Sequence, residues 1–266
     1  MSLRINSNIE AFNAHRQLSG VSDRVAQSME RLSSGYRINR AADDAAGLAI
    51  SERMRSQIRG LGQVQRNIQD GVSLVQTAEG NLDEVHSMLQ RVRELAVQYK
   101  NGTLSDSDQA AIQTEVNQLA SEIERIGTSA KFNGITLLAD AAGVVTFQVG
   151  VGDSESITVS TISLGSEVGA FTDLTATDAL EAIDDAISAV SETRATFGAV
   201  QNRLEHTLSS TQVYAENLTA AESRVRDVDM AAEMVNLTKN QILQQAGTSM
   251  LAQANQAPQS ILSLIR

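Results

Sequence analysis

The sequence lacks cysteine and tryptophan, and its 266 residues include only one proline (Pro258), five phenylalanines and three tyrosines. Without cysteine there is no disulfide, no cysteine-based metal site and no thiol nucleophile. The scarcity of proline excludes a collagen-like chain, and the scarcity of aromatic residues disfavours an ordinary enzyme core. No apolar run is long enough to span a membrane, and residues 1–6 lack the apolar stretch of a secretory signal. We therefore expect a soluble chain with no membrane partner.

The charge of the chain is concentrated in its middle. Residues 45–225 carry 12 Lys/Arg and 24 Asp/Glu, a net charge of −12, whereas residues 1–44 carry +1 and residues 226–266 carry zero. An acidic chain repels phosphate groups, so a nucleic-acid partner is excluded. The acidic middle is interpreted as a solvated surface.

Apolar residues recur at spacings of three and four along most of the chain, which is typical of long helices that pack lengthwise. We predict a mainly α fold in which long antiparallel coiled-coil-like helices form a rod, with a small β-hairpin region and paired terminal helices. A helix over residues 178–225 would be about 70 Å long at 1.5 Å per residue. The clearest repeats are Leu61, Val64, Ile68, Val72, Val75, Leu82, Val85, Leu89, Val92 and Ala96, and later Ile183, Ile187, Val190, Phe197, Leu204 and Leu208.

The stretch near residues 132–172 has a different pattern. Phe132-Asn133-Gly134 is a turn signal, and residues 145–149 and 157–159 alternate apolar and polar side chains around a glycine-containing loop, which predicts a β-hairpin. Earlier in the chain, Asn101-Gly102 predicts a helix end, because both residues tolerate the left-handed conformation. Ser105 and Asp108 then predict a capping box at the start of the next helix.

The two chain ends carry apolar stripes on helices that are otherwise rich in Ala, Ser, Asn and Gln. An isolated helix of this kind is marginal in water, so we expect the ends to be loose in the free chain and to become ordered when they pack together and against neighbouring copies. The residues predicted to carry this self-assembly are Ile5, Ile9, Phe12, Leu18, Val21, Leu251, Ala254, Ile261 and Leu264.

No group of residues indicates catalysis, a metal or a cofactor. The three histidines lack a second ligand at helical spacing, and the adjacent Asp43 and Asp44 are interpreted as solvating a helix terminus rather than binding a cation. The methionines lie mostly on apolar stripes and are interpreted as core fillers. We therefore predict a chain that is not an enzyme.

Long motifs near both ends resemble those of bacterial flagellins. Residues 31–50 read RLSSGYRINRAADDAAGLAI, residues 200–206 read VQNRLEH, residues 216–224 read ENLTAAESR, and residues 250–256 read MLAQANQ. The resemblance covers roughly residues 1–140 and 175–266. It implies a structural subunit that self-assembles into the flagellar filament for swimming motility.

The resemblance also implies a division of the chain. Residues 1–43 and 226–266 would pair in the inner tube of a filament, and residues 44–225 would form a rod domain of long helices with the hairpin region. The outer domains that most relatives insert at the middle of the chain are missing. The subunit would be extracellular, in the bacterial flagellum, after export through the flagellar type III channel without a cleaved signal peptide.

Several partners follow from the resemblance. They are other copies of the chain in a helical homopolymer, an export chaperone at the C-terminal segment, and the filament cap and junction proteins. In relatives a helical patch is recognised by a flagellin-sensing Toll-like receptor of innate immunity, and residues 90–97 resemble that patch. The matching residues here are Gln90, Arg91, Leu95 and Glu115.

Two alternatives remain open from the sequence. A hook–filament junction protein of the same family would share the terminal helices but match the Asp-Asp-Ala-Ala-Gly-Leu-Ala motif less well. A coiled-coil binding protein that never polymerises would share the long helices. Electron microscopy of the purified protein after seeding would separate the second alternative from a filament subunit.

Overall fold

A computed structural model describes residues 8–138, 144–160, 164, 173–176 and 178–265, with side chains up to residue 256. The chain is mainly helical. The helices are α1 (Ile9–Ser34), α2 (Ala45–Tyr99), α3 (Asp106–Ser129), α4 (Ala179–Arg226) and α5 (Met230–Ile265). The strands are β1 (Lys131–Phe132), β2 (Ile135–Thr136), β3 (Val144–Gln148) and β4 (Ser156–Ser160).

The chain divides into two compact units. The terminal unit comprises the described residues up to Ser56 and those from Leu218 onward, and the central unit comprises Gln57–Asn217. The terminal unit thus contains α1, α5, the start of α2 and the end of α4. The central unit contains the remainder of α2 and α4 together with α3 and the strands.

The central unit is built on three helices. Helix α2 runs antiparallel to α4, as the ion pairs of Arg93 with Asp184 and of Asp83 with Arg194 show, and it contacts α3 through the ion pair of Arg91 with Glu115. The predicted repeats form its core, so the helical part of the fold prediction is confirmed. Core residues that are at most 2% exposed include Ile68, Val75, Leu82, Val85, Leu89, Val92, Val116, Ile123, Ile183, Val190, Phe197 and Leu204.

Two antiparallel hairpins lie in the predicted β region. The first pairs β1 with β2 through a turn in which Asn133 has φ of 49° and Gly134 has φ of 82°. Left-handed backbone of this kind favours Asn and Gly, which explains the turn signal in the sequence. The second hairpin pairs β3 with β4, and its apolar residues Ile157 and Val159 are buried against the helices. The hairpin prediction is therefore confirmed.

The predicted helix boundaries around residue 100 are present. Helix α2 ends at Tyr99, and α3 begins with a complete capping box, in which the Ser105 side chain accepts from the Asp108 backbone N–H and the Asp108 carboxylate accepts from the Ser105 backbone N–H. The reason given for the helix end was wrong, because neither Asn101 nor Gly102 has a positive φ.

The terminal unit is held by an antiparallel pair of helices, α1 and α5. Asn8 Nδ2 donates to the carbonyl of Ala254 at 2.7 Å, and Arg31 lies 3.8 Å from the Glu233 carboxylate at the other end of the pair. The face of α5 that is buried or half-buried follows a strict three-four spacing, which is the spacing of a coiled-coil seam. Its residues are Glu233, Leu237, Asn240, Gln244, Gly247, Leu251 and Ala254.

This seam mixes small and polar side chains with a few large apolar ones, such as Leu237 and Leu251. A side-chain carbon at Gly247 would lie 3.2 Å from Leu18 of α1, so the glycine permits a close approach of the two helices. On α1, Val21 and Ser28 are buried, while Leu18 and Val25 are half-buried. The helices therefore pair closely while burying few large apolar groups.

None of the helices in the described ranges is both apolar enough and long enough to traverse a lipid bilayer.

Candidate assembly surface

The terminal unit has an inverted distribution of apolar side chains. Among the described residues, three of its hydrophobic side chains are buried (Val21, Ile38 and Leu237), whereas ten large ones are exposed. In the part of the central unit that the structure describes, thirty hydrophobic residues are buried and six large ones are exposed. The exposed set of the terminal unit comprises Ile9, Phe12, Met29, Ile50, Met230, Met234, Val235, Ile242, Leu243 and Met250. Among its described residues, the terminal unit thus exposes more large apolar side chains than it buries.

Four members of this set lie together on α5, on the side away from its seam with α1. There Met234, Val235, Ile242 and Leu243 line an open, mostly apolar groove together with Thr238 and Lys239. We call these six residues the α5 groove. Between Glu233 and the last helical residue, Lys239 is the only charged residue of α5. A groove of this composition favours an apolar occupant.

The residues predicted to carry self-assembly differ in how exposed they are. Ile9 and Phe12 are 57% and 73% exposed, so they do not pack into the pair formed by α1 and α5. Val21 is buried within that pair, and Leu18, Leu251 and Ala254 are half-buried. Ile5 lies outside the described residues, and Ile261 and Leu264 lie on α5 but outside the range of described side chains.

Sequence reasoning missed the exposed apolar residues of α5. The interpretation of the methionines as core fillers was wrong, because Met29, Met230, Met234 and Met250 are 50–64% exposed. A signal was present in the sequence, since Val235 with Ile242 and Leu243 with Met250 each repeat at a spacing of seven, on positions outside the seam. A helix with apolar residues on both its seam and its outer side buries only one of them in a two-helix pair.

A cluster of charged side chains around Tyr36 positions the elements of the terminal unit. Arg55 of α2 and Arg226 of α4 place their guanidinium carbons 5.4 Å and 5.0 Å from the centroid of the Tyr36 ring. Arg55 also donates to the Tyr36 hydroxyl at 3.0 Å, and Arg226 donates to Glu52 of α2 at 2.6 Å. Cation–π contacts of this kind gain strength when they are partly desolvated.

Backbone contacts complete the cluster. Tyr36 pairs with Asp227 in an isolated antiparallel bridge, in which the N–H of Arg37 donates to the Arg226 carbonyl and the N–H of Val228 donates to the Gly35 carbonyl. Gly35 ends α1 with φ of 76°, a conformation that favours glycine. The segments that follow α1 and precede α5 are therefore joined, which fixes the register of the helix pair.

Glu222 of α4 is the most deeply buried acid of this cluster. Its Oε1 lies 3.0 Å from Arg55 Nε, although the two atoms are not aligned for a hydrogen bond and the oxygen accepts none from the described residues. The Glu222 side chain is 11% exposed and that of Arg55 is 33% exposed. The pair is therefore shielded from water mainly on the carboxylate side.

Replacing Glu222 by Ala should destabilise the terminal unit by about 1–3 kcal/mol, because Arg55 would lose its carboxylate while it stays partly desolvated. Hydrogen exchange of the α2 amides around Arg55 measures this change. The matched control is Glu30→Ala, whose partner Arg40 is 73% exposed, and it should change exchange by less than about 0.5 kcal/mol. Equal effects of the two substitutions would contradict the role of the buried pair.

Asp43 and Asp44 both accept backbone hydrogen bonds in the segment that leads into α2. Asp43 Oδ2 accepts from the N–H groups of Asn39 and Arg40, and Asp44 Oδ1 accepts from the N–H of Gly47 in the first turn of the helix. The Arg40 N–H holds the pKa of Asp43 below its usual value, against a smaller opposing effect of burial. The adjacent carboxylates thus stabilise a turn and a helix start.

The patch that matches the receptor-recognised segment of relatives lies on α2 and α3. Arg91 pairs with Glu115 at 2.9 Å and with Glu94 at 3.3 Å, and Gln90 is exposed beside it. Leu95 does not share this surface. It is 2% exposed and belongs to the core of the central unit. The part of the patch that a partner could contact therefore consists of Gln90, Arg91 and Glu115.

The ion pairs of the central unit give it a defined acid sensitivity. A hydrogen bond from Arg93 lowers the pKa of Asp184, and hydrogen bonds from the Ser105 hydroxyl and backbone N–H lower the pKa of Asp108. A carboxyl with a lower pKa in the folded chain than in the unfolded chain binds protons more tightly when unfolded. Its contribution to stability is therefore complete above the unfolded pKa and is lost as the pH falls through the folded pKa.

The urea midpoint of the central unit should therefore fall on acidification below about pH 4, and the Asp184→Asn variant should show a shallower fall than the parent chain. Circular dichroism at a series of pH values measures both midpoints. Asp153→Asn, in the exposed loop of the second hairpin, is the matched control and should keep the pH dependence of the parent. A parent midpoint that is constant from neutral pH to about pH 3 would contradict this assignment.

The contrast between the two units is typical of one class of protein. The central unit completes its own core, whereas the paired terminal helices present apolar side chains that nothing in the described chain covers. This distribution is typical of a subunit whose interior is completed by assembly with other molecules.

Comparisons with known proteins identify the family. Residues 5–142 match the model described as the bacterial flagellin N-terminal helical region, and residues 180–265 match the bacterial flagellin C-terminal helical region. The chain belongs to the bacterial flagellin family. This is a family of structural proteins whose members form the flagellar filament.

The similarity extends over whole chains. A flagellin of Halalkalibacterium halodurans is 54% identical over 270 residues, covering 98% of this chain and 99% of the relative. The flagellin of Bacillus subtilis strain 168 is 47% identical over 304 residues, covering 99% and 100%. A flagellar filament 33 kDa core protein of Treponema phagedenis is 49% identical over 284 residues, covering 98% and 99%.

A solved structure shares the fold. The crystal structure of Bacillus cereus flagellin superposes with a TM-score of 0.52 at 32% sequence identity, covering 59% of this chain and 94% of that one. The mainly helical fold predicted from the sequence is thus also that of an experimentally determined flagellin.

Proposed function

We propose that the chain polymerises through the exposed apolar side chains of its terminal unit. As a flagellin it is a structural subunit of the bacterial flagellar filament, and neither a junction protein nor a coiled-coil adaptor is favoured by the relatives it matches. The observation that carries the proposal is the contrast between three buried and ten exposed hydrophobic side chains in the described part of the terminal unit.

The physical basis is burial of these side chains against other copies. Burying one large apolar side chain contributes about 1.5–3 kcal/mol before the cost of ordering. Several such side chains on each subunit are enough to hold a polymer together even after that cost is subtracted. Contact between copies is head-to-tail, with different surfaces of neighbouring subunits meeting, and such contacts extend as an open helical filament when the rotation between copies does not close a ring.

The two parts of the chain have different roles in the filament. Residues 1–43 and 226–266 form the inner tube, where apolar side chains are covered by neighbours, and residues 44–225 form the rod domain of long helices with the hairpin region. The close pairing of α1 with α5 supports this division, since both chain ends then lie together. The subunit has no enzymatic role and needs no cofactor.

Partners other than the chain itself are proposed from the family. An export chaperone covers the apolar C-terminal helix before assembly, cap and junction proteins contact the ends of the filament, and export uses no cleaved signal peptide. The flagellin-sensing Toll-like receptor contacts Gln90, Arg91 and Glu115. The uncovered α5 groove supports the chaperone proposal, and the exposed ion pair of Arg91 with Glu115 supports the receptor proposal.

Electron microscopy of the purified chain, added to short filament fragments, tests the proposed function. Fragments should lengthen in proportion to the amount of chain added. Without fragments, the chain should form no filaments at the same concentration, which is kept below the threshold for spontaneous polymerisation. Fragments that keep their length at high chain concentration, with the terminal helices folded, would contradict polymerisation.

Moderate salt should speed this elongation. Residues 45–225 carry a net charge of −12, so approaching copies repel each other, and at about 0.15 M salt the Debye length of about 8 Å screens that repulsion. Light scattering during seeded growth measures the rate. Sucrose at equal osmolarity is the control, because it carries no charge. A rate that salt lowers or leaves constant would contradict the repulsion.

A further inference from the structure

Four methionines are exposed on the surface proposed for assembly. Met29, Met230, Met234 and Met250 are 53%, 50%, 50% and 64% exposed, and all belong to the terminal unit. Met88 of the central unit is half-buried and packs against the core. The accessible thioether sulfur of the described chain is therefore concentrated where copies are proposed to meet.

Methionine is also the side chain of this sequence most readily oxidised by peroxides. The chain has no cysteine and no tryptophan to compete for the oxidant. In the reaction a sulfur lone pair attacks one oxygen of hydrogen peroxide, an S–O bond forms and the O–O bond breaks. Sulfur is oxidised to the sulfoxide, and the second oxygen takes up a proton and leaves as water. The product is polar, and methionine sulfoxide reductases reverse the change.

We propose that Met29, Met230, Met234 and Met250 are an oxidation-sensitive element that admits only reduced subunits to the polymer. This inference rests on the proposed function. In the free subunit all four sulfurs are accessible to peroxide, whereas in the polymer neighbouring copies cover them. Oxidation therefore acts before assembly and not after it.

Met234 shows why the sulfoxide blocks assembly. Its side chain lines the α5 groove with Val235, Ile242 and Leu243, which offer no side-chain hydrogen-bond donor. Of the two polar residues in the groove, Thr238 already donates its hydroxyl to the Met234 carbonyl, and Lys239 carries a charge that favours solvent over a buried interface. A sulfoxide oxygen is a strong acceptor, and burying it without a donor costs free energy. In the free chain water satisfies that oxygen, so the modification opposes the association of copies while it leaves the solvated helix intact.

Partial oxidation of the full-length chain tests the inference without any substitution. Free subunits are treated with hydrogen peroxide until each methionine is oxidised in about half of the molecules, and filament fragments are added. The elongated polymer is sedimented, and mass spectrometry gives the sulfoxide fraction at each methionine in pellet and supernatant. We expect the pellet to be depleted in sulfoxide at Met234 relative to the supernatant, with equal fractions at Met88. Equal fractions at Met234 would overturn the inference.

Protection in the polymer is the second measurement. Peroxide applied to finished filaments should oxidise the four exposed methionines more slowly than in free subunits, and the rate at Met88 should change least. Treatment of oxidised free subunits with methionine sulfoxide reductases should restore elongation. Equal oxidation rates of the four methionines in filaments and free subunits would overturn the proposed protection.

Variants separate the four sulfurs from oxidation elsewhere. A variant with leucine at all four positions should keep its own untreated elongation rate after peroxide, whereas the Met88→Leu chain should lose elongation as the parent does. Loss in the four-leucine variant equal to that in the parent would overturn the inference. Failure of the untreated parent chain to elongate fragments would instead contradict the proposed function, so the two failures are distinguishable.

Discussion

The Ile242→Asp variant should be monomeric under conditions in which the parent chain elongates filament fragments. Ile242 is 60% exposed and lies in the α5 groove, so in the free chain the new carboxylate is solvated and the helix keeps its contacts with α1. In a polymer the same carboxylate would be buried among apolar side chains, which costs several kcal/mol. Since each 1.4 kcal/mol is about tenfold in affinity, the concentration needed for elongation should rise by about a hundredfold or more.

The matched control is Ile135→Asp on β2 of the central unit. Ile135 is 47% exposed, and its replacement has the same chemistry at a position outside the proposed assembly surface. Electron microscopy of seeded samples and circular dichroism of the free variants measure elongation and helix content. Normal elongation by Ile242→Asp, or loss of elongation by both variants to the same extent, would contradict the role of the α5 groove.

The Phe197→Ala variant should strongly destabilise the central unit. Phe197 of α4 is 1% exposed and is the largest fully buried side chain among the described residues. Its truncation removes apolar contacts and leaves a cavity, which costs about 3–5 kcal/mol. For a unit of this size the melting temperature should fall by about 10 °C.

Val97→Ala on α2 is the control for Phe197→Ala. Val97 is 53% exposed, so its truncation removes little buried area and should change the stability of the central unit by less than about 0.5 kcal/mol. Urea unfolding followed by circular dichroism measures both variants. A loss below about 1 kcal/mol for Phe197→Ala would show that this position does not lie in the cooperative core.

The central unit could be predicted well from the sequence because its periodicity and its packing agree. Leu82, Val85, Leu89 and Val92 keep the three-four spacing and are all fully or almost fully buried. Leu95 is the instructive exception, since its resemblance to a recognised surface patch placed it outside the core. Helix α2 packs against both α3 and α4, so the apolar stripe is wider than a single seam and includes Leu95.

The assembly surface was predictable only in part, and the reason is physical. The spacing of Ile9 and Phe12 indicates an apolar stripe, but spacing alone does not show which molecule covers it. The pair formed by α1 and α5 includes small and polar residues such as Ser28 and Gly247, which allow close approach of the helices and leave room for few large side chains. Other large side chains of α5, such as Ile242, therefore stay exposed, although apolar periodicity by itself assigns them to a core within the chain.

The contacts around Tyr36 could not be predicted from the sequence, because they join residues that are far apart along the chain. Tyr36 lies in the motif that resembles flagellins, and Glu222 interrupts a helical seam, but no spacing relates residues that are 186 positions apart along the chain. Their proximity depends on the pairing of the chain ends, which brings Arg55, Arg226 and both of these residues into one unit.

Hydrogen exchange of the same full-length chain, free and in filaments, tests most directly whether other copies complete the terminal unit. The amides of α1 and α5 should exchange rapidly in the free chain and become protected in filaments, because two helices with few buried apolar groups are only marginally stable alone. The amides of α2 around Val85 should be protected in both samples. Strong protection of α5 in the free chain, unchanged on polymerisation, would show that the terminal unit is already complete without neighbours.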